Sequence, residues 1–237
     1  MMLLRVLKKM THKILVFGGS GRLGSEILKL NSKIISPRRN DLDIGDIMSI
    51  ESFFIDNHID LVINCAAITD TVFCEKNIHD TIETNTCGPA NLVMLQKKYN
   101  FRLVHISTDY VFDGKKGNYK PSDPINPISN YSKSKAAAEL IVRMNPRNLV
   151  IRTSFFPLEF KHPAAFVDQY TTKDFVDVIA PMVYEAAVSD KTGIVHIGTE
   201  KDSVYNKVKK RYPNIKRMSR KDIKSVYIPY DTSLEQK

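Results

Sequence analysis

Short apolar runs alternate with stretches of helical periodicity along the first two thirds of the chain. Lys13-Ile14-Leu15-Val16-Phe17 is apolar at odd and even positions alike, which marks a strand covered on both faces. Similar runs recur at Lys33–Ser36, Asp60–Asn64, Phe101–Ile106 and Asn148–Arg152. Between them, the pattern predicts helices over Ser25–Leu30, Ile47–Asn57, Thr81–Tyr99 and Ser132–Met144, the last capped by Ser129 or Asn130. This β-α order with short connections predicts an α/β fold, a doubly wound parallel sheet with right-handed crossovers. Beyond Thr153 the pattern loosens into a helix at Asp174–Ala187, a strand at Gly193–Gly198 and a basic helix at Ser203–Tyr212.

The first strand runs straight into Gly18-Gly19-Ser20-Gly21-Arg22-Leu23-Gly24 and then a helix. Strand, glycine-rich turn and helix form the setting of a dinucleotide site: the glycines admit the pyrophosphate, and the helix N-terminus supplies N–H groups and positive dipole. The glycine spacing here is G-x-x-G-x-x-G, through Gly18, Gly21 and Gly24. The sheet is therefore read as a Rossmann sheet. The run Lys33–Ser36 ends in Pro37-Arg38-Arg39 with no immediate acid, which favours a ribose 2′-phosphate and hence NADPH, with NADH possible. The small residues Cys65, Ala66 and Ala67 end another strand, where a cofactor lies across strand ends.

Thr108 stands where the strand Phe101–Ile106 gives way to a loop, and Tyr131 and Lys135 follow at i and i+4 on one predicted helix face. A cation beside the phenol draws its pKa down from ~10. Hydroxyl, phenol and ammonium together suit protonation of a carbonyl oxygen during hydride transfer. These signals divide the chain into an N-terminal extension (1–11), an NAD(P)-binding Rossmann domain (12–152) and a small C-terminal part (153–237). Within that part, 174–198 is expected to pack back on the sheet.

Composition narrows the setting. The 237 residues carry 43% hydrophobic residues and a net charge of +9. No run approaches the ~18 apolar residues of a membrane span, so no membrane partner is expected. Three cysteines (Cys65, Cys74, Cys87) lack metal-ligand spacing and point to free thiols in a reducing cytoplasm. The histidines His58, His79, His105, His162 and His196 show no metal spacing either and read as structural or surface groups. Much of the positive charge falls between Lys207 and Lys224, which reads as a solvated helix face; nucleic acid is an unlikely partner on this reading.

The ordered set of fingerprint, Ser107-Thr108-Asp109-Tyr110-Val111-Phe112-Asp113-Gly114 and Tyr131-x-x-x-Lys135 resembles the extended short-chain dehydrogenase/reductases, most closely the dTDP-4-dehydrorhamnose reductase family. Further matching stretches are Asn85-x-x-Gly88-Pro89, Ile151-Arg152-Thr153-Ser154, Asp168-Gln169 and the tail Pro229–Leu234. The resemblance implies NAD(P)H-dependent reduction of the C4 carbonyl of a nucleotide-activated 4-keto-6-deoxy sugar, in deoxysugar and polysaccharide biosynthesis, with a homodimer possible. It implies that Gly21, Arg22 and Leu23 lie under the pyrophosphate, Arg38 beside the adenosine ribose, Asp43 and Ile44 near the adenine, and Cys65–Ala67 along the groove. It implies Tyr131 as proton donor, Lys135 on the nicotinamide ribose, Thr108 on the same substrate oxygen, Asp109 on a neighbouring hydroxyl and Phe155 against the sugar. Family members run longer between Ser154 and Asp168, where Pro157 and Pro163 disfavour a long helix. The resemblance thus implies that 153–237 is a small, shortened C-terminal substrate-binding part. That shortening keeps an alternative open: a non-catalytic NADP-binding subunit resembling the regulatory subunit of methionine adenosyltransferase.

Overall fold

The computed structural model describes residues 12–223 and 227–236. The N-terminal extension 1–11 and Lys224 of the basic run lie outside them. In chain order, β1 (Ile14–Phe17), α1 (Arg22–Leu30), α2 (Ile47–Asp56), β2 (Leu61–Asn64), α3 (Thr71–Lys76) and α4 (Ile78–Ile82) lead into a π-helical turn (Glu83–Cys87). Then follow α5 (Gly88–Tyr99), β3 (Arg102–Thr108), a 3₁₀ turn (Asp109–Val111), α6 (Asn130–Val142) and β4 (Leu149–Thr153). The C-terminal part holds β5 (Phe155–Phe156), β6 (Ala164–Phe166), β7 (Tyr170–Thr171), β8 (Asp174–Phe175), α7 (Val176–Val188), β9 (Gly193–Ile197), β10 (Asp202–Ser203), α8 (Val204–Lys209) and β11 (Lys216–Met218).

The central sheet has five parallel strands in the order β1-β2-β3-β4-β9. Strand residues alternate between two cores, as a period of two requires. Ile14, Val16, Ile63, Val104 and Ile151 face α1 and α7, meeting Ile27, Ile179 and Val183. Leu15, Phe17, Val62, Leu103 and Val150 face α2, α5 and α6, meeting Phe54, Leu92 and Val142. With helices on both faces, every strand is apolar on both sides, which is why the runs were continuous rather than alternating. The chain first leaves β1 toward Ile35 and then returns to its other side with β2. That reversal opens a crevice at the C-terminal ends of the strands.

Three expected elements differ. The strand at Lys33–Ser36 shrinks to a single bridge, in which Ile35 N–H bonds to Ile14 O and Val16 N–H to Ile35 O, both at 2.9 Å. Pro37 has no N–H to extend the ladder, and Ser36 turns its hydroxyl onto Val16 O at 2.8 Å. The stretch Thr81–Tyr99 is helical throughout but is not one α-helix: a π-helical turn at Glu83–Cys87 joins α4 to α5, just before Pro89, which has no N–H to donate. The basic helix at Ser203–Tyr212 stops at Lys209, short of Pro213, and Lys207 on it is buried rather than solvated, donating to Thr199 Oγ1 at 2.5 Å.

The C-terminal part returns to the sheet twice. β9 completes it beside β4, and the tail runs back as a strap, with Asp231 N–H bonded to Gly114 O (2.8 Å) and Tyr119 N–H to Ser233 O (2.9 Å). Asp231, Thr232, Ser233 and Leu234 are all buried, so the strap holds the loop that follows Thr108.

Candidate active site

The glycine turn is built for close approach. Gly18 has φ +77°, a conformation side chains rarely adopt, and a Cβ there would lie 2.6 Å from Ala66 N. A Cβ on Gly24 would strike Gly18 O, so the helix starts directly against the turn. Gly21 is the N-cap of α1, with no side-chain cap and no acid in the first turn. The leading N–H groups therefore face outward without a side-chain partner, which fits a pyrophosphate. Beside them opens a cleft of about 650 Å³, lined by Ser20, Gly21, Arg22 and, across from them, Pro157, Lys161 and His162. The shortened 155–167 segment thus forms one wall of this cleft.

At the end of the second-strand bridge, Arg38 and Arg39 are both exposed. Arg39 is committed to Asp43 at 2.9 Å, and Asp43 also accepts from Gly45 N–H at 2.9 Å. Burial acts against the Asp43 carboxylate, but these bonds win and hold its pKa below the usual range. Ile44 is buried in the second core, and its methyl groups would meet a Cβ on Gly88.

The catalytic candidates meet where β3 ends. Thr108 is buried, and its hydroxyl caps the 3₁₀ turn by accepting from Tyr110 N–H at 3.1 Å while donating to Asp109 Oδ1 at 3.2 Å. Asp109 also accepts a short hydrogen bond from Ser154 Oγ. Ser129 caps α6 through a reciprocal box with Ser132, fixing the first turn that carries Tyr131. Asn85, from the π turn, bonds Ser134 Oγ at 3.0 Å and both backbone groups of Ile68 (2.8 and 3.0 Å), tying α6 to the loop after β2.

The electrostatics depart from expectation at one point. Burial pushes the Tyr131 phenol up, while the Thr108 side chain and the charge of Lys173 act to lower it. Lys135 does not supply that acidifying contact here. Its Nζ sits 3.1 Å from His105 Nε2, and burial brings its pKa down to about 8. The Cys65 thiol beside it is pushed up to about 12 by burial and stays protonated at neutral pH.

The family described as the RmlD substrate binding domain matches residues 12–173, a span that holds both the glycine turn and the Thr108/Tyr131/Lys135 cluster. This chain belongs to that family. It is 32% identical over 150 residues to a dTDP-4-dehydrorhamnose reductase of Aggregatibacter actinomycetemcomitans, covering 60% of this chain and 51% of that protein. It is also similar to a solved structure from Sulfolobus tokodaii described as a hypothetical dTDP-4-dehydrorhamnose reductase, with 31% identity, a TM-score of 0.82, and coverage of 94% of this chain and 92% of that one. The fold is shared with the NADP complex of the Bacillus anthracis dTDP-4-dehydrorhamnose reductase, at TM-score 0.86, 23% identity, and coverage of 96% and 92%. The chain spans about half the length of the curated relatives it matches.

Two residues of this RmlD-family site were missed or misread in the sequence. Lys173, on the turn between β7 and β8, lies over the Tyr110 ring (4.6 Å to its centre) with Nζ 3.3 Å from Tyr110 Oη. Burial opposes its charge, but Tyr110, Asp109 and Tyr131 together raise its pKa above the ordinary lysine value. No local pattern marks it, because its partners lie more than 40 positions away in sequence. His105, read from the sequence as a structural or surface group, is fully buried between Asn64 and Lys135. Phe155 is half-buried and packs partly into the core shared by α1 and α7. Asp168 anchors a turn, accepting from Ser219 Oγ (2.6 Å) and Arg220 N–H (2.7 Å). Arg152 and Glu139 form a buried pair at 2.7 Å behind the site, with Ser107 donating to Glu139 at 2.5 Å.

Proposed function

We propose that this chain reduces the C4 carbonyl of a nucleotide-activated 4-keto-6-deoxy sugar, with NADPH as preferred cofactor and NADH as the weaker one. The observation that carries the reading is the placement of Thr108, Tyr131 and Lys135 at the C-terminal edge of the sheet. It is the same edge at which the glycine turn presents the N-terminus of α1. Relatives described as dTDP-4-dehydrorhamnose reductase and dTDP-4-keto-6-deoxy-D-glucose reductase support the substrate class. The NADP complex of the Bacillus anthracis protein and the exposed Arg38 support the cofactor preference.

In this reading Gly18, Gly21 and Gly24 admit the pyrophosphate, with the N–H groups of Arg22 and Leu23 directed at it. Arg38, with Arg39 behind it, meets the 2′-phosphate; Asp43 and Ile44 border the adenine; Cys65, Ala66 and Ala67 floor the groove. The bound cofactor supplies the hydride. Tyr131 gives its phenolic proton to the substrate oxygen, and Thr108 donates a hydrogen bond to that same oxygen. Asp109 accepts from a neighbouring sugar hydroxyl. Lys135 serves the nicotinamide ribose, and Phe155 covers the sugar.

The test is oxidation of NADPH and of NADH in the presence of dTDP-4-keto-6-deoxy sugar generated in place. Turnover with a preference for NADPH is expected. A rise in melting temperature with NADPH, but no turnover with any 4-keto-6-deoxy nucleotide sugar, would overturn the assignment as a reductase.

A further inference from the structure

Beneath Lys135 lies a closed chain of hydrogen bonds whose proton positions follow from its geometry. Asn64, His105 and Lys135 are each at most 2% exposed. Asn64 Oδ1 accepts from the backbone N–H of Ala66 at 3.0 Å. A backbone N–H can only donate, so the amide orientation of Asn64 is fixed. Its NH₂ must then face His105 Nδ1, 3.2 Å away. Nδ1 is thereby the accepting nitrogen of the ring, and the proton of a neutral imidazole lies on Nε2. Nε2 in turn points at Lys135 Nζ, 3.1 Å away. An ammonium has three donors and no lone pair, so it would meet the Nε2 proton head-on.

We propose that the Asn64–His105 pair holds Lys135 as a neutral amine in the bare protein, with His105 Nε2–H donating to the amine lone pair. The competing arrangements each leave a buried conflict. An ammonium at Lys135 needs His105 protonated at Nδ1 instead, which sets that N–H against the Asn64 NH₂. Turning the Asn64 amide to relieve this sets its NH₂ against Ala66 N–H. A charged imidazolium sets its Nδ1–H against the Asn64 NH₂, and burial together with Lys135 drives the His105 pKa well below the usual histidine value.

The other groups around Lys135 do not cancel the effect. Glu139, one turn along α6, favours the ammonium, but it is already paired with Arg152 of β4 and accepts from Ser107 of β3. Cys65, after β2, also favours the ammonium, yet its own thiol is held protonated by burial. Burial is the largest influence on Lys135 and acts in the same direction as the His105 donor. His105 is thus a positioning residue that acts through Lys135. On the reading of the site as a reductase, which this consequence rests on, Lys135 takes up a proton when a cofactor ribose replaces His105 as its partner.

The measurement is made on the full chain without cofactor. With ¹⁵N-labelled histidine, two-bond ¹H–¹⁵N correlation shows which ring nitrogen carries the proton, and His105→Gln assigns the signal. With ¹³Cε-labelled lysine, the same sample reports the titration of Lys135. The expected result is the Nε2–H form of His105 with Lys135 mostly uncharged at neutral pH, its midpoint below the value of about 8 to which burial brings it. In His105→Gln, whose carbonyl can accept from an ammonium, the midpoint should rise by about one unit, a tenfold change in the amine-to-ammonium ratio. Asn64→Asp, which accepts from Nδ1–H while keeping the Ala66 bond, should switch His105 to the other tautomer. An Nδ1–H or doubly protonated His105 in the wild-type protein overturns the proposal; if His105→Gln fails to fold, the through-space contact of the ring with labelled Lys135 Cε assigns the signal. Equal Lys135 midpoints in wild type and His105→Gln also overturn it. Neither readout requires turnover, so failure of the reductase assignment would be seen separately.

Discussion

Two lysines enter the candidate site from different parts of the molecule, and burial leaves them in opposite states. Lys135 rises from α6, in the sheet-forming part of the chain, and meets a neutral imidazole; its pKa falls to about 8. Lys173 descends from the β7–β8 turn and meets Asp109, Tyr110 and Tyr131; its pKa rises. Desolvation disfavours the charge of both. The sign of the outcome is set by what the chain places within reach of each ammonium. The site therefore holds one lysine able to exchange a proton near neutral pH and one that is a permanent cation. The permanent one, together with the Thr108 hydroxyl, favours ionisation of Tyr131 against the larger effect of burial.

The largest expected effect comes from removing the partner that occupies Glu139. Arg152→Met leaves a buried carboxylate without its cation, at a cost of ~3–5 kcal/mol, read as a drop in melting temperature on the order of 10 °C. Freed from Arg152, Glu139 should also pull the Lys135 titration upward and blur the contrast with Lys173.

Next is the linkage of Lys135 to stability. Its folded pKa lies below its unfolded value, so the unfolded chain binds more protons between pH ~8 and ~10.4. Wild-type stability should then gain about 3 kcal/mol from this group across that window as pH rises. Urea unfolding at pH 7.5 and pH 10 should show the increment in wild type and its loss in Lys135→Met. Lys173 has the opposite sign: its contribution is present at neutral pH and lost only as pH rises through its raised folded value.

Lys173→Met should lower kcat by ~10–100-fold, since the phenol then gives up its proton less readily. Lys173→Arg, which keeps the positive charge, should retain most of the rate. The smallest effect is at the cofactor ribose. Arg38→Ala should reduce the NADPH-over-NADH preference by up to ~10-fold, within the ~1.5–3 kcal/mol of one charge-assisted hydrogen bond. Arg39→Ala should change it less, because Arg39 is already spent on Asp43.

The same contrast marks how far the sequence could be read. The parallel sheet was legible because strands covered on both faces leave unbroken apolar runs, and the turn at Gly18–Gly24 and the Tyr131/Lys135 spacing are local patterns. The strand at Ile35 was overcalled because apolar content was visible, but the effect of Pro37 on the ladder depends on its neighbour. The helix over Thr81–Tyr99 was legible from its periodicity, but the π turn just before Pro89 was not, because periodicity does not show which carbonyl each N–H reaches. Which groups surround a buried lysine is another matter. His105 and Lys173 reach the site across 30 and 63 positions, and no spacing rule announces them.

The central claim is tested most directly by the rate of NADPH oxidation with a 4-keto-6-deoxy nucleotide sugar, in wild type and Tyr131→Phe side by side. The account predicts steady turnover in the wild type and a loss of ~10²–10⁴-fold in the variant, the range for a general acid, with NADPH still raising the melting temperature of both. Undiminished turnover in Tyr131→Phe would contradict it.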